Sequence, residues 1–191
     1  MPLLWAPIDD FAEVLEAAQA GQEWAVGILF DALQPPLLRF LRWHEPSVAD
    51  DVAGETWLAV AQRIAAFEGD EGQFHAWVFT IARRRLADHR RKASRRRTAP
   101  VQSRTLETVA APEDIAEVVV EKLSAEQAIA RLTEALPPDQ AEILVLRVVG
   151  GLSVEETARV VGKRPGTVRV IQHRAIRRLA RELGWRSIVE V

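Results

Sequence analysis

The chain contains no cysteine. That excludes a disulfide framework, a thiolate metal site and a cysteine nucleophile, and it agrees with a reducing compartment. No apolar run approaches the ~18 residues of a membrane span. The opening Met1-Pro2-Leu3-Leu4-Trp5-Ala6-Pro7 has neither the basic segment nor the apolar core of a secretory leader. A soluble, cytoplasmic protein without membrane insertion is expected. No stretch alternates apolar and polar residues with a period of two, so a sheet is not expected. A glycine-rich phosphate loop, a Gly-x-Ser-x-Gly elbow and a His-Glu-x-x-His metal motif are all missing. The four histidines, His44, His75, His89 and His173, have no ligand spacing. Asp50 and Asp51 are adjacent on a helix and point in different directions, so they do not make a metal pair. The expectation is a protein that is not an enzyme and uses no cofactor or metal. Lysine is also scarce, with only Lys92, Lys122 and Lys163 among 25 basic residues, as a GC-rich coding genome would produce.

What is present is apolar residue in quantity, 48% of 191 residues, enough for two small cores. The net charge of −2 hides a strong partition. Residues 1–82 hold 13 acids against Arg39, Arg42 and Arg63, whereas residues 83–97 hold nine bases and only Asp88. Residues 98–162 return to 11 acids against five bases, and residues 163–191 carry eight bases against Glu182 and Glu190. Two separate basic zones in an acidic chain are the pattern of two polyanion contacts.

Helical periodicity covers most of the chain. Phe11, Val14, Leu15 and Ala18 define a first helix, capped by Asp9 or Asp10 and stopped at Gly21. A second runs from Glu23 through Trp24, Ile28, Leu29 and Leu33 until Pro35-Pro36 bends or breaks it, with Leu37, Leu38 and Leu41 beyond. A third starts near Ser47 and puts Trp57, Val60, Ala61 and Ile64 on one face. After a loop at Phe67–Gln73, a fourth carries Phe74, Trp77, Val78 and Ile81 and continues into the basic run Arg83–Arg97. Residues 98–113 are polar, proline-flanked and aperiodic, as a flexible linker would be. Ser124 and Gln127 form a capping box before Ala128, Ile129, Leu132 and Leu136. Pro138 opens a further helix, with Ala141, Leu144, Val145 and Val148 on one face, that stops at Gly150-Gly151. The fold expected is all-α: two small helical domains, 1–97 and 114–191, joined by the linker.

The C-terminal segment is the most informative. Ser153 and Glu156 make a capping box for a short helix, Val154–Val161, that ends at Gly162. Pro165 then opens a longer helix that buries Val168, Ile171, Ala175 and Leu179 and presents Thr167, Arg169, Val170, His173, Arg174 and Arg177. A short helix, a glycine turn and a basic helix make a helix-turn-helix, whose second helix enters a DNA major groove. An ordinary helical hairpin with a solvated basic face would share these features. Small Ala158 at the helix crossing and the second basic zone elsewhere favour the DNA-binding form.

Several stretches resemble the extracytoplasmic-function (ECF) sigma factors of the bacterial sigma-70 family. Leu136-Pro137-Pro138-Asp139-Gln140-Ala141-Glu142, Leu146-Arg147, Gly151–Ala158, Pro165-Gly166-Thr167-Val168-Arg169 and His173-Arg174-Ala175 are similar to region 4. Ala49–Leu58 is similar to region 2.2. Trp77, Ile81-Ala82-Arg83 and Asp88-His89-Arg90-Arg91 resemble regions 2.3 and 2.4. The family's usual glutamine before Glu-Thr is Gly54 here, the asparagine that often follows Ile-Ala-Arg is Arg84, and the loop Glu68–Gln73 is slightly longer than the common form. The resemblance implies a sigma factor that binds core RNA polymerase, at its clamp helices and flap, and promoter DNA. An anti-sigma factor is a further implied partner.

On that resemblance Asp50, Asp51, Glu55 and Trp57 would dock the polymerase; a solvated acidic face with Trp57 in the core is the competing assignment. Phe67, Glu68, Asp70, Gln73, Trp77, Arg83, Arg84, Arg90 and Arg91 would hold the melted −10 element, combining aromatic stacking with a basic groove. Phe74 is assigned to the core, and Trp77 stands between core and DNA. Arg147, Arg164, Thr167, Arg169, Val170, His173, Arg174 and Arg177 would contact the −35 element. The alternative function is a helix-turn-helix regulator with a helical N-terminal sensor domain.

Overall fold

The computed structural model describes residues 8–98 and 133–182, with backbone alone for 95–98. The described residues form helices and no strand: α1 (Phe11–Gln19), α2 (Glu23–His44), α3 (Ala49–Ala61), α4 (Glu71–Thr98), α5 (Pro138–Val148), α6 (Val154–Val161) and α7 (Pro165–Glu182), with single 3₁₀ turns at Pro46–Val48 and Ile64–Ala66. Most of the proposed 98–113 linker and the Ser124–Gln127 capping box lie outside the described residues.

α1 to α4 pack around a core of Leu29, Leu33, Leu37, Phe40, Val52, Phe74, Val78 and Phe79. α1 ends as its sequence suggests: Gly21 takes φ 79°, and the amides of Gly21 and Gln22 turn back to the carbonyls of Ala18 and Ala17. α2 differs from expectation. It runs unbroken through Pro35 and Pro36, although each proline removes a backbone donor. Complete burial of Leu33, Leu37, Phe40 and Leu41 on either side holds the helix together. Trp24 and Ile28 are half-exposed, and Ala25, Leu29 and Leu33 form the buried stripe instead. In α3 the buried residues are Ala49, Val52, Ala53, Thr56, Ala59 and Val60, while Ala61 is exposed. The aromatic Trp57 had drawn the expected stripe one step off. In α5, Ile143 and Leu146 are buried beside Ala141 and Val145. Leu144 and Val148 are only half-buried, because this short helix has neighbours on two sides.

α4 begins with a reciprocal cap. The Gln73 amide donates to Asp70 Oδ1 at 2.7 Å and the Asp70 amide donates to Gln73 Oε1 at 2.9 Å, satisfying two donors that a helix start leaves orphaned. Just before it, Gln19 Nε2 donates to the carbonyls of Ile64 and Phe67 at 3.0 and 2.8 Å, tying the loop to α1.

The C-terminal helices are built on three clusters. Leu136, Ala141 and Ala175 pack together with half-buried Trp43 and Leu179, and Ile143, Ala158 and Val168 form a second group. The third is shared: Val145, Leu146, Val149, Leu152 and Val160 join the core of α1 to α4. α6 lies along α4.

Two predictions follow from this packing. Asp70→Ala removes the α4 cap and is expected to lower stability by about 1 kcal/mol, whereas Glu68→Ala, at an exposed position, shifts it by no more than about 0.5 kcal/mol; thermal melts of the two variants check this. Burial pushes the imidazoles of His75 and His44 down to about 4 from an ordinary 6.5. The folded state therefore favours neutral rings, and unfolding takes up protons between those values. Stability is complete above the ordinary value and is lost as pH falls toward 4, by about 2 kcal/mol per histidine at pH 5. The melting temperature should drop by several degrees between pH 7.5 and 5, and His75→Leu should remove a substantial part of that drop.

Candidate nucleic-acid interface and docking face

The helix-turn-helix geometry rests on two local devices. Ser153 Oγ accepts from the Glu156 amide at 3.1 Å and Glu156 Oε2 accepts from the Ser153 amide at 2.6 Å. At the other end of α6, Gly162 adopts φ 68° and ψ 32°, a left-handed conformation suited to glycine. The Lys163 amide closes the turn on the Ala158 carbonyl at 3.0 Å. α7 then buries Val168 and Ala175 fully and Ile171 and Leu179 partly. Thr167, Arg169, Val170, His173, Arg174 and Arg177 are all exposed, as is Arg164 in the turn. Val170, half-exposed, gives this polar face an apolar point of the kind that meets a thymine methyl.

Arg169 already has a partner. Its Nη2 lies 2.7 Å from Glu155 Oε1 on α6, with both side chains more than half-exposed. Arg147 stands apart from the other residues assigned to this face. It is half-buried, donates through Nε to Gln172 Oε1 at 3.2 Å and through Nη1 to the Leu152 carbonyl. It braces α5 against α7 and the turn before α6, because a guanidinium is long enough to satisfy two elements at once.

The second basic zone lies on α4, where Arg83, Arg84, Arg90 and Arg91 line a cleft toward α5 and α6. Arg84 is exposed. Arg91 pairs with Asp88 one turn earlier, which holds the Asp88 carboxyl below its ordinary range. Arg90 donates to the His44 carbonyl at 2.9 Å and lies 3.5 Å from Glu45. Arg83 donates through Nε and Nη2 to the two oxygens of Glu142 at 2.7 and 3.1 Å, a fork geometry specific to arginine. Those bonds raise the Arg83 pKa further.

The aromatic group beside this zone is a packed stack. Trp77 is half-buried, with its ring 5.0 Å from Phe67 and 5.8 Å from Phe74. Phe74 is fully buried. Phe67 is half-buried, Glu68 is exposed, and Asp70 and Gln73 use side-chain oxygens to cap α4. The Asp-x-x-Gln spacing is itself a capping pattern, not recognised above, where both residues were assigned to the −10 contact.

The α3 residues divide between surface and packing. Asp50 and Asp51 are exposed, with Asp50 3.4 Å from Arg42. Glu55 Oε1 meets His89 Nε2 at 3.0 Å and so ties α3 to α4. Trp57 is half-buried, donates to Gln34 Oε1 at 2.6 Å and stacks 5.0 Å from Phe30. The apolar side chain that does project is Leu58, 61% exposed. It follows Asp51 and Gly54 along the exposed side of the helix, where a Cβ added at Gly54 would meet nothing within 4 Å. Leu58 closes the Ala49–Leu58 stretch that resembles region 2.2, although the tryptophan before it dominates any apolar pattern.

Among the described residues no cluster of three potential metal ligands occurs, and no helix is long and apolar enough to cross a membrane.

Comparison with known proteins bears on both zones. Residues 29–96 match the family model "Sigma-70 region 2", and residues 126–179 match "Sigma-70, region 4". The chain is 37% identical over 178 residues to the ECF RNA polymerase sigma factor SigD of Mycobacterium tuberculosis, covering 89% of this chain and 82% of that one. It is 39% identical over 176 residues to the ECF RNA polymerase sigma factor BldN of Streptomyces coelicolor, covering 90% of this chain but only 65% of the relative's length. In fold it is similar to the sigma factor RpoE of Bartonella quintana, solved in complex with the anti-sigma factor NepR, with a TM-score of 0.53 at 23% identity over 92% of this chain and 95% of that chain. With region 2 borne on the helices up to α4 and region 4 on α5 to α7, in that order, the chain belongs to the ECF sigma factors of the sigma-70 family.

Proposed function

We propose that this protein binds core RNA polymerase and directs initiation at a specific class of promoters, without catalytic chemistry of its own and in the cytoplasm. The observation that carries the proposal is the exposed row Thr167, Arg169, Val170, His173, Arg174 and Arg177 on a helix set by a capped partner helix and a left-handed glycine turn. It has the form of a helix that reads base edges in a major groove. On this reading residues 114–191 recognise the −35 element and residues 1–97 engage the polymerase and the melted −10 strand, with 98–113 between them.

The exposed side of α3, with Asp50, Asp51 and Leu58, supplies charge and an apolar point for basic clamp helices, a division of labour common at interfaces. Glu55 and Trp57 support that face from within. Arg84, Arg90 and Arg91, with Arg83, are suited to phosphate, and Phe67, Glu68 and Trp77 line the adjoining loop. Asp70 and Gln73 act through the cap that fixes that loop. The sigma factor RpoE of Bartonella quintana was solved with an anti-sigma factor, and an anti-sigma partner is proposed here by analogy. The regulator alternative is not favoured, since both sigma regions are matched in one chain.

Run-off transcription with core polymerase on a promoter library tests the proposal, which fails if the protein neither co-migrates with core polymerase nor supports initiation. Within that assay Arg169→Ala should change base preference in the −35 element and cost roughly 1–3 kcal/mol at the preferred site. Replacing Arg91 should weaken all promoters about equally and reduce the salt slope by about one. An unchanged −35 preference in Arg169→Ala would transfer base readout to Thr167, Val170 or His173.

A further inference from the structure

The cleft beside α4 holds donors that the contacts described so far leave over. Its volume is about 990 Å³, the size of a small-molecule site. Five arginines line it, Arg83, Arg84, Arg90, Arg91 and Arg159, against the carboxylates of Asp139 and Glu142. Three of the five are answered: Arg83 by Glu142, Arg90 by Glu45 and Arg91 by Asp88. Asp139 sits in the first turn of α5, where its charge answers the helix dipole. Arg84 on α4 and Arg159 on α6 are exposed, and among the described residues neither has a carboxylate within ion-pair distance. Glu156, one turn before Arg159, is committed to the α6 cap.

A third donor comes from the end of α2. The His44 side chain is only 12% exposed, and burial keeps its ring neutral at pH 7. Arg90 Nη2 lies 3.4 Å from His44 Nδ1. A guanidinium only donates, so Nδ1 is the acceptor and the ring proton sits on Nε2. That N–H is buried in the cleft wall with no hydrogen-bond acceptor among the described residues. Glu142 Oε1 stands 3.8 Å away and is already taken by Arg83. A buried donor without an acceptor is costly, and an acceptor entering the cleft removes that cost.

We propose that this cleft is a binding site for a compact oligophosphate, free or as the tail of a nucleoside polyphosphate, held by His44 Nε2, Arg84 and Arg159. The three donors come from three helices and converge on one space. A nucleic-acid strand takes contacts spaced along a path, whereas donors converging from different walls suit a short anion with many oxygens. Trp43 lines the same cleft and contributes aromatic surface for a base. His44 and Arg159 have no part in the promoter contacts assigned above, so the site does not depend on that reading.

Calorimetric titration of the full-length protein with tripolyphosphate, ATP and AMP tests the proposal. Tripolyphosphate and ATP should saturate a single site, and AMP should bind at least about tenfold more weakly because it lacks the charge to span the walls. Arg84→Gln and Arg159→Gln should each weaken tripolyphosphate by about tenfold. His44→Phe keeps a ring without the donor and should weaken it by about threefold or more. Arg63→Gln, exposed on the far side of α3 from the cleft lining, should change affinity by less than about twofold. Equal affinity for the two probes identifies the free oligophosphate, and tighter binding of ATP that Trp43→Phe abolishes identifies the nucleotide; either outcome supports the site. Absence of saturable binding overturns it, and so does an equal loss in Arg63→Gln, the mark of diffuse charge attraction. If Arg159→Gln weakens a labelled single-stranded oligonucleotide as much as tripolyphosphate, the cleft belongs to the strand and the proposal is overturned. Run-off transcription by the parent protein reports separately on the promoter reading.

Discussion

The structure depends on one helix being apolar on one side and cationic on the other. α4 contributes Phe74, Val78, Phe79, Ala82 and Leu86 to the core and, without a break, carries Arg83, Arg84, Arg90 and Arg91 toward solvent and cleft. α2 and α3 pack on its apolar side, and α6 lies along it as well. The aromatic stack of Phe67, Phe74 and Trp77 sits at its start. The arginines are thus presented by a rod whose orientation is fixed by burial of the same rod's other face. A charged strip on a loop would lack that constraint.

The carboxylates are distributed with equal economy. Glu55, Glu142 and Glu155 each meet a basic group on another helix: His89, Arg83 and Arg169. These contacts are partly exposed, and exposed ion pairs add little to stability. What they supply is alignment, because each ties one helix to a neighbour at a defined register. Glu156 differs from these three. It is spent on capping α6, and its burial pushes its carboxyl pKa up even as the cap pulls the other way.

Much of this was legible in the sequence, and unevenly so. The capping box at Ser153 and Glu156, the stop at Gly162 and the exposed row of α7 could be read because each depends on a few adjacent residues with fixed backbone demands. The apolar stripes of α2 and α3 were displaced because tryptophan and proline were given too much weight, and that of α5 because the helix has neighbours on two sides. Trp24 turns outward, Trp57 settles at a half-buried edge, and α2 passes through both prolines under the packing of Leu33, Leu37 and Phe40. The least visible features were the pairings between distant segments. Nothing local marks Glu142 as the partner of Arg83, 59 residues away, or Arg147 as a brace. Both residues sit inside motifs that resemblance had already assigned to other work.

The ion pair between Arg169 and Glu155 has a consequence for how a reading helix sees salt. An ordinary surface arginine carries a loosely held counterion and releases it on meeting DNA, which adds to the entropy of binding. Arg169 carries a tethered carboxylate instead. On the proposed reading, transfer of its guanidinium to a guanine edge would release no ion to bulk solvent and would leave Glu155 unpaired on the surface of α6. The transfer would be favourable only where the new bonds are better than the single Nη2–Oε1 contact they replace, so a poorly matched base would leave the arginine where it is. On that reading the pair is an internal competitor, and this position would count toward discrimination between sites more than toward general attraction to DNA.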